Sequence, residues 1–198
     1  HDPREMERWL AQGESEGLWQ YAHGRILPWG DRIVVGYNFV PPSPFMFKDW
    51  ERYDVSRYVD PGCTAPIEGK LSTPIPEHEL KYATIAEDLR TITKQSDLCR
   101  AIMLFHTPPY RTNLDRAALD GKVIDHVLLD VHVGSIAVRR FIEERQPQLS
   151  LHGHIHESPR LTGNWRDRIG RTVCLSAAHD GPELALVRCD SEYPGAAE

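Results

Sequence analysis

Ser150-Leu151-His152-Gly153-His154-Ile155-His156-Glu157 is a short apolar strand that runs into a cluster of imidazoles. Side chains alternate in an extended chain, which puts Leu149, Leu151 and Ile155 on one face and His152, His154 and His156 on the other. Upstream, Ala101-Ile102-Met103-Leu104-Phe105 reads as a fully buried strand stopped by His106-Thr107-Pro108-Pro109. Between the two, Ser135 is a helix N-cap, Ile136, Phe141 and Ile142 form its apolar stripe, and Pro147 lies beyond its end. Thr84-Ile85-Ala86-Glu87 is a capping-box pattern, and Ile85, Leu89 and Ile92 continue that helix to about Gln95. Ile33 to Tyr37 reads as another buried strand, followed by a proline-broken loop from Val40 to Phe45 and a surface excursion from Asp54 to Glu77. Asp2-Pro3 opens a helix that reaches about Ala11. Thr172 to Leu175 and Leu184 to Val187 read as short strands at sheet edges. Helix-then-strand alternation with polar residues at the strand ends predicts a layered α/β fold, in one domain over residues 1–198.

Composition narrows the function classes. The chain of 198 residues is 40% hydrophobic and 26% charged, which excludes a disordered, collagenous or coiled-coil protein. No apolar run approaches the roughly 18 residues of a membrane span. Net charge is -6, which argues against a general nucleic-acid binder, so an anionic substrate needs positive charge supplied locally by a metal or by arginines. Cys63, Cys99, Cys174 and Cys189 are scattered without a C-x-x-C pair, the usage of reduced thiols in a cytoplasmic protein.

The ten histidines carry more information, because they cluster. Three imidazoles at one strand end are poor core material and good ligands for divalent metals. Gly153 removes a side chain between them and lets the backbone approach a ligand. His106 follows a buried strand and precedes two prolines, a stiff mount for a metal ligand. Glu157 and Ser158 are placed to orient the ligating rings, or equally to cap a solvated turn. Arg160, Arg166, Asp167 and Arg168 read as a solvated hairpin, and Trp50 and Tyr53 as packing against the proline loop.

Gly153-His154-Ile155-His156 resembles the G-H-x-H motif of the calcineurin-like metallophosphoesterases, and His106 stands where that family has an isolated metal-binding histidine. The stretches from His132-Val133-Gly134-Ser135 to Gln146-Pro147, and Val40 to Phe45 with Lys48 to Glu51, are similar to a prokaryotic branch of it. The resemblance implies an α/β/β/α sandwich, incomplete at its N-terminal side, and two divalent ions of the Mn, Fe, Zn or Ni class. It implies that His106 and His154 hold one ion, that His156 holds the other, and that a bridging hydroxide attacks a small phosphoester, nucleotides included. His1-Asp2 is similar to the end of the family's G-N-H-[DE] motif, which makes His1 the general acid. The family's D-x-H and G-D-x-x-D motifs and the Gly-Asn before His1 are not in the chain, a shortfall of roughly two βα units. Asp130-Val131-His132 spells D-x-H out of order, so His132 is expected at the site rim near phosphate, with His152 and Glu157 as supporting residues. His179, where relatives tend to have Asn-Pro-Gly, is expected to be a loop residue. The alternatives are a non-catalytic binding or regulatory module on the same fold, and a hydrolase with a single zinc on three histidines.

Overall fold

The computed structural model describes residues 2–198. In chain order its elements are α1 (Glu7–Ser15), β1 (Arg25–Trp29), β2 (Arg32–Tyr37), α2 (Glu77–Tyr82), α3 (Ile85–Ile92) and β3 (Ile102–Phe105). There follow a small hairpin, β4 (Val123–Ile124) and β5 (Val127–Leu128), then α4 (Ile136–Arg145), β6 (Leu149–His152), α5 (Ser158–Thr162), β7 (Arg166–Ile169) and β8 (Thr172–Ser176). The main sheet has the order β1-β2-β3-β6-β8-β7. Its inner strands β2, β3, β6 and β8 run parallel, and the edges β1 and β7 are antiparallel. This is a mixed α/β fold. No helix among the described residues is long and apolar enough to cross a membrane.

The caps expected from the sequence form. Thr84 Oγ1 accepts from the Glu87 amide at 3.2 Å, and Ser135 Oγ from the Val138 amide at 3.0 Å. Helix α4 stops at Gln146, whose left-handed φ of 47° turns the chain into Pro147. Asp54 adds a distant cap, because its carboxylate accepts from the Ile136 and Ala137 amides at 2.7 and 3.2 Å and from the Ser135 hydroxyl at 2.5 Å.

Strand assignment at the edges differs from expectation. Leu184 to Val187 forms no strand, and Leu184 is 93% exposed. Strand β8, expected at an edge, is interior and wholly buried. Arg171, in the turn between β7 and β8, donates from its guanidinium to the carbonyl of Gln146 at the end of α4. The true edges are Arg25-Ile26-Leu27-Pro28-Trp29 and Arg166-Asp167-Arg168-Ile169. Proline and charged residues are tolerated there because an edge strand needs only one ladder.

Alternation divides the core. Val35, Tyr37, Met103, Phe105 and Cys174 face α3 and α4, and pack with Ile85, Leu89, Val138 and Ile142. Ile102, Leu149, Val173 and Leu175 face the other way, where Trp165, Val187 and Ala197 pack on them. That second face is only partly covered, since Leu104 in the middle of the sheet is 37% exposed.

Candidate functional site

Parallel strands β2, β3, β6 and β8 end together, and open α/β sheets bind ligands at that end. His106 directly follows β3 and His154 lies two residues past β6, its neighbour in the sheet. The loops are tied by the Gly153 amide donating to the His106 carbonyl at 3.0 Å, and the His106 amide bonds the Tyr37 carbonyl at 3.2 Å. The two rings meet edge to face, with centroids 4.9 Å apart. Burial above all holds the His106 imidazole below its usual range. The same cause, reinforced by the charges of His106 and His156, pushes His154 down to about 3. Both rings are therefore neutral near pH 7, the form that ligates a metal.

His154 adopts a left-handed φ of 71°. For a residue with a side chain this costs about 1 kcal/mol. The conformation breaks the alternation expected of an uninterrupted strand, so His152, His154 and His156 do not form one imidazole face. A Cβ at Gly153 would lie 3.7 Å from His106 Nδ1, in ordinary contact. Glycine there leaves room beside the His106 ring without being forced by the chain's own packing.

His156 is exposed beyond His154. His152 points inward, only 7% exposed. Its Nδ1 donates to the Thr107 carbonyl at 2.9 Å, its Nε2 meets the Ser150 hydroxyl at 2.8 Å, and its ring stacks on Phe105. Burial pushes its pKa down to about 4, and with both nitrogens committed it is a strut behind the site. Glu157 accepts from the Ala118 amide at 3.2 Å, and Ser158 bridges the Arg116 amide and the Asn113 carbonyl at 2.9 and 2.8 Å. Those contacts fasten the segment after His156 to the loop after His106. Asp130 and His132 do not act as a pair of ligands. Asp130 accepts from the Tyr110 hydroxyl and the His132 amide, while the His132 ring turns to Asp115. His179 sits in the loop after β8, exposed beside Glu183 at 3.2 Å. His1 lies outside the described residues.

Sequence reasoning missed Asp115. Its side chain is fully buried and accepts from the Arg111, Thr112 and Gly134 amides and from His132, pinning the loop that follows His106. An aspartate in a polar loop carries no local sign of this role.

The donor chemistry fits a divalent ion in part. His106 and His154 are adjacent, neutral nitrogen donors, yet among the described residues no group of three His, Cys, Asp or Glu side chains is placed to hold a metal.

No family model matches the chain. It is 32% identical over 113 residues to the uncharacterized protein MJ1162 of Methanocaldococcus jannaschii, a match covering 56% of this chain and 45% of that protein. A solved crystal structure aligns at a TM-score of 0.50 and 17% identity, over 88% of this chain and 51% of its own. TT1561 of Thermus thermophilus aligns at 0.47 and 15% identity, over 96% of this chain and 62% of its own. The chain thus spans about half the length of the first two proteins it matches, and the likeness at 0.50 speaks to the fold alone.

Proposed function

We propose that this chain supplies the imidazole side of a two-metal phosphoester hydrolase site, mounted on one sheet of an α/β/β/α sandwich. The observation that carries the reading is the pair of neutral rings, His106 and His154, 4.9 Å apart at the ends of adjacent parallel strands. His106 and His154 would hold one divalent ion of the Mn, Fe, Zn or Ni class, and His156 would supply a donor to the other. The chemistry such ions would supply when bound is charge neutralisation at a phosphoryl group and an activated hydroxide. The chain's own residues present unprotonated nitrogens and hold them on two loops joined by the Gly153–His106 backbone bond. His152 and Asp115 keep those loops in place from behind. Among the described residues no carboxylate stands with these imidazoles in a group of three. The sandwich reading is supported by the half-covered second face around Leu104, because parallel strands are normally covered on both sides. The substrate class is a small phosphoester, nucleotides included, hydrolysed in the cytoplasm.

Titrating Mn²⁺ or Zn²⁺ into the purified chain, with elemental analysis, tests the reading. The expected result is a single weakly held ion, lost in His106→Ala and in His154→Ala, and negligible hydrolysis of an aryl phosphodiester by this chain alone. Metal binding unchanged in both variants overturns it.

A further inference from the structure

A second cluster of polar and aromatic groups lies away from the His106–His154 pair, on the side of the sheet that carries α3. A cleft of about 300 Å³ opens there between the segment before β1 and helix α3, with His23, Tyr37, Phe39, Arg52 and Asp88 among its walls. That volume is at the small end of ligand cavities, room for one fused ring system. His23 is bridged to Gly36 of β2, and the rings of Tyr37, Phe39 and Trp50 surround it at centroid distances of 5.9, 5.2 and 5.3 Å. Its Nδ1 accepts from the Asn38 amide at 3.0 Å, so the hydrogen of the neutral ring is on Nε2. Burial above all lowers its pKa to about 4, which keeps the ring neutral near pH 7. Nε2–H makes no hydrogen bond among the described residues, yet it is not sealed inside the protein. An apolar ring would pack against Tyr37, Phe39 and Trp50 equally well, and what the imidazole adds is a reachable donor.

Acceptors line the same cleft. Asp88 Oδ2 takes the Tyr37 hydroxyl at 2.5 Å and the Arg52 guanidinium, and Glu79 Oε1 takes the other arm of Arg52. Asp88 Oδ1 makes no hydrogen bond among the described residues, and the side chain is 21% exposed. Arg52 lies over the Phe39 ring at 4.0 Å from its centroid, so the guanidinium that fixes both carboxylates is itself held. Arg52 is matched by Asp88 and Glu79, and Arg4, which also lines the cleft, stands 3.6 Å from Glu7. Two guanidinium groups facing three carboxylates leave no positive excess, which suits a neutral ligand and disfavours an anion. A neutral guanine-type purine matches the remaining groups, because it is flat and carries a carbonyl beside two N–H donors on one edge.

We propose that this cleft is a second ligand site, which takes a neutral purine of the guanine type between His23 and Asp88. Nε2–H of His23 donates to the ring carbonyl, and Oδ1 of Asp88 accepts from the neighbouring ring N–H and amino group. Arg52 is a positioning residue that holds Asp88 in place. The inference goes beyond the phosphoester reading and does not depend on it.

Guanosine is the probe, titrated into the whole chain in the presence of a chelator and followed by calorimetry and by ¹⁵N-histidine resonances. It is expected to bind and to move the His23 Nε2 resonance while leaving those of His106 and His154 in place. His23→Phe keeps the ring packing, removes the N–H and should weaken binding about ten-fold, as loss of one hydrogen bond does. Replacing Asp88 would also release Tyr37 and Arg52 and risks the fold. Thr91→Trp instead changes an exposed residue of α3 at the mouth of the cleft, and should block binding with the melting temperature unchanged. Adenosine, which would turn an unprotonated ring nitrogen toward the carboxylate, should bind about ten-fold more weakly than guanosine. No binding of guanosine up to its solubility limit overturns the site, and so does binding unchanged in both His23→Phe and Thr91→Trp. Guanosine binding that is displaced by inorganic phosphate, or lost in His154→Ala and kept in His23→Phe, belongs to the metal-binding rings and also overturns it. Metal binding that survives His106→Ala and His154→Ala overturns the phosphoester reading alone and leaves this site standing.

Discussion

Acidification should unlock the molecule at His152. Its ring is 7% exposed, it donates from Nδ1 to Thr107, and burial lowers its pKa from 6.5 to about 4. In the unfolded chain the same imidazole titrates at its ordinary value. As pH falls below about 6.5 the unfolded state gains a proton that the folded state refuses, so stability present at neutral pH is lost on the way down. Each pH unit in that window costs about 1.4 kcal/mol, which makes the loss from His152 roughly 2 kcal/mol by about pH 5. The assay is urea unfolding from about pH 7 to about pH 5, with chelator present, on the native chain and on His152→Gln. Glutamine keeps a donor for Thr107 but does not titrate, so the variant starts less stable and loses stability less steeply. The buried neutral rings of His23 and His154 shift in the same direction in both proteins and cancel in the comparison. Parallel stability curves for the two proteins would refute the reasoning.

Removing the distant cap in Asp54→Ala leaves the Ile136 and Ala137 amides without their acceptor and should cost about 2 kcal/mol in a thermal or urea melt. His154→Gly relieves the left-handed backbone and should melt about 1 kcal/mol above His154→Ala, which keeps the strain, although both lose metal. Gly134→Ala puts a Cβ 2.7 Å from the Pro108 carbonyl oxygen and 2.8 Å from Asp115 Cβ. It should destabilise by roughly 1–3 kcal/mol and weaken metal binding through the displaced loop after His106, both measurable on one purified sample.

Much of the sheet was legible because buried parallel strands are continuous apolar runs. Ile102 to Phe105 and Leu149 to His152 stand within a residue or two of their expected limits, and Thr84 and Ser135 cap the helices expected of them. The edges were not legible. Strand β1 contains Pro28 and β7 is three-quarters charged, and what makes them strands is a neighbour already in place rather than any local preference. The imidazole cluster was visible as a composition, but its division was not. Alternation placed His152 beside His154, whereas β6 carries His152 into the core and the left-handed turn at His154 swings that ring against His106. Asp54 and Asp115 were invisible for a different reason, since their partners are fixed by tertiary contact, up to 83 residues away for Asp54.

Stability alone does not account for what gathers at this end of the sheet. An apolar side chain at position 152 would fill the space beside Phe105 without a buried imidazole that must find two partners, and a glycine at 154 would remove the strain of a left-handed histidine. Asp115 spends three backbone amides and a histidine to settle a carboxylate inside a loop that a simple turn could close. Each of these is locally unfavourable, each is tolerated only because neighbours satisfy it, and all lie at the end of β6 or in the loops after β3 and β6. Breaches of local preference that occur together at one place are the pattern expected of a site held in a fixed geometry for a ligand.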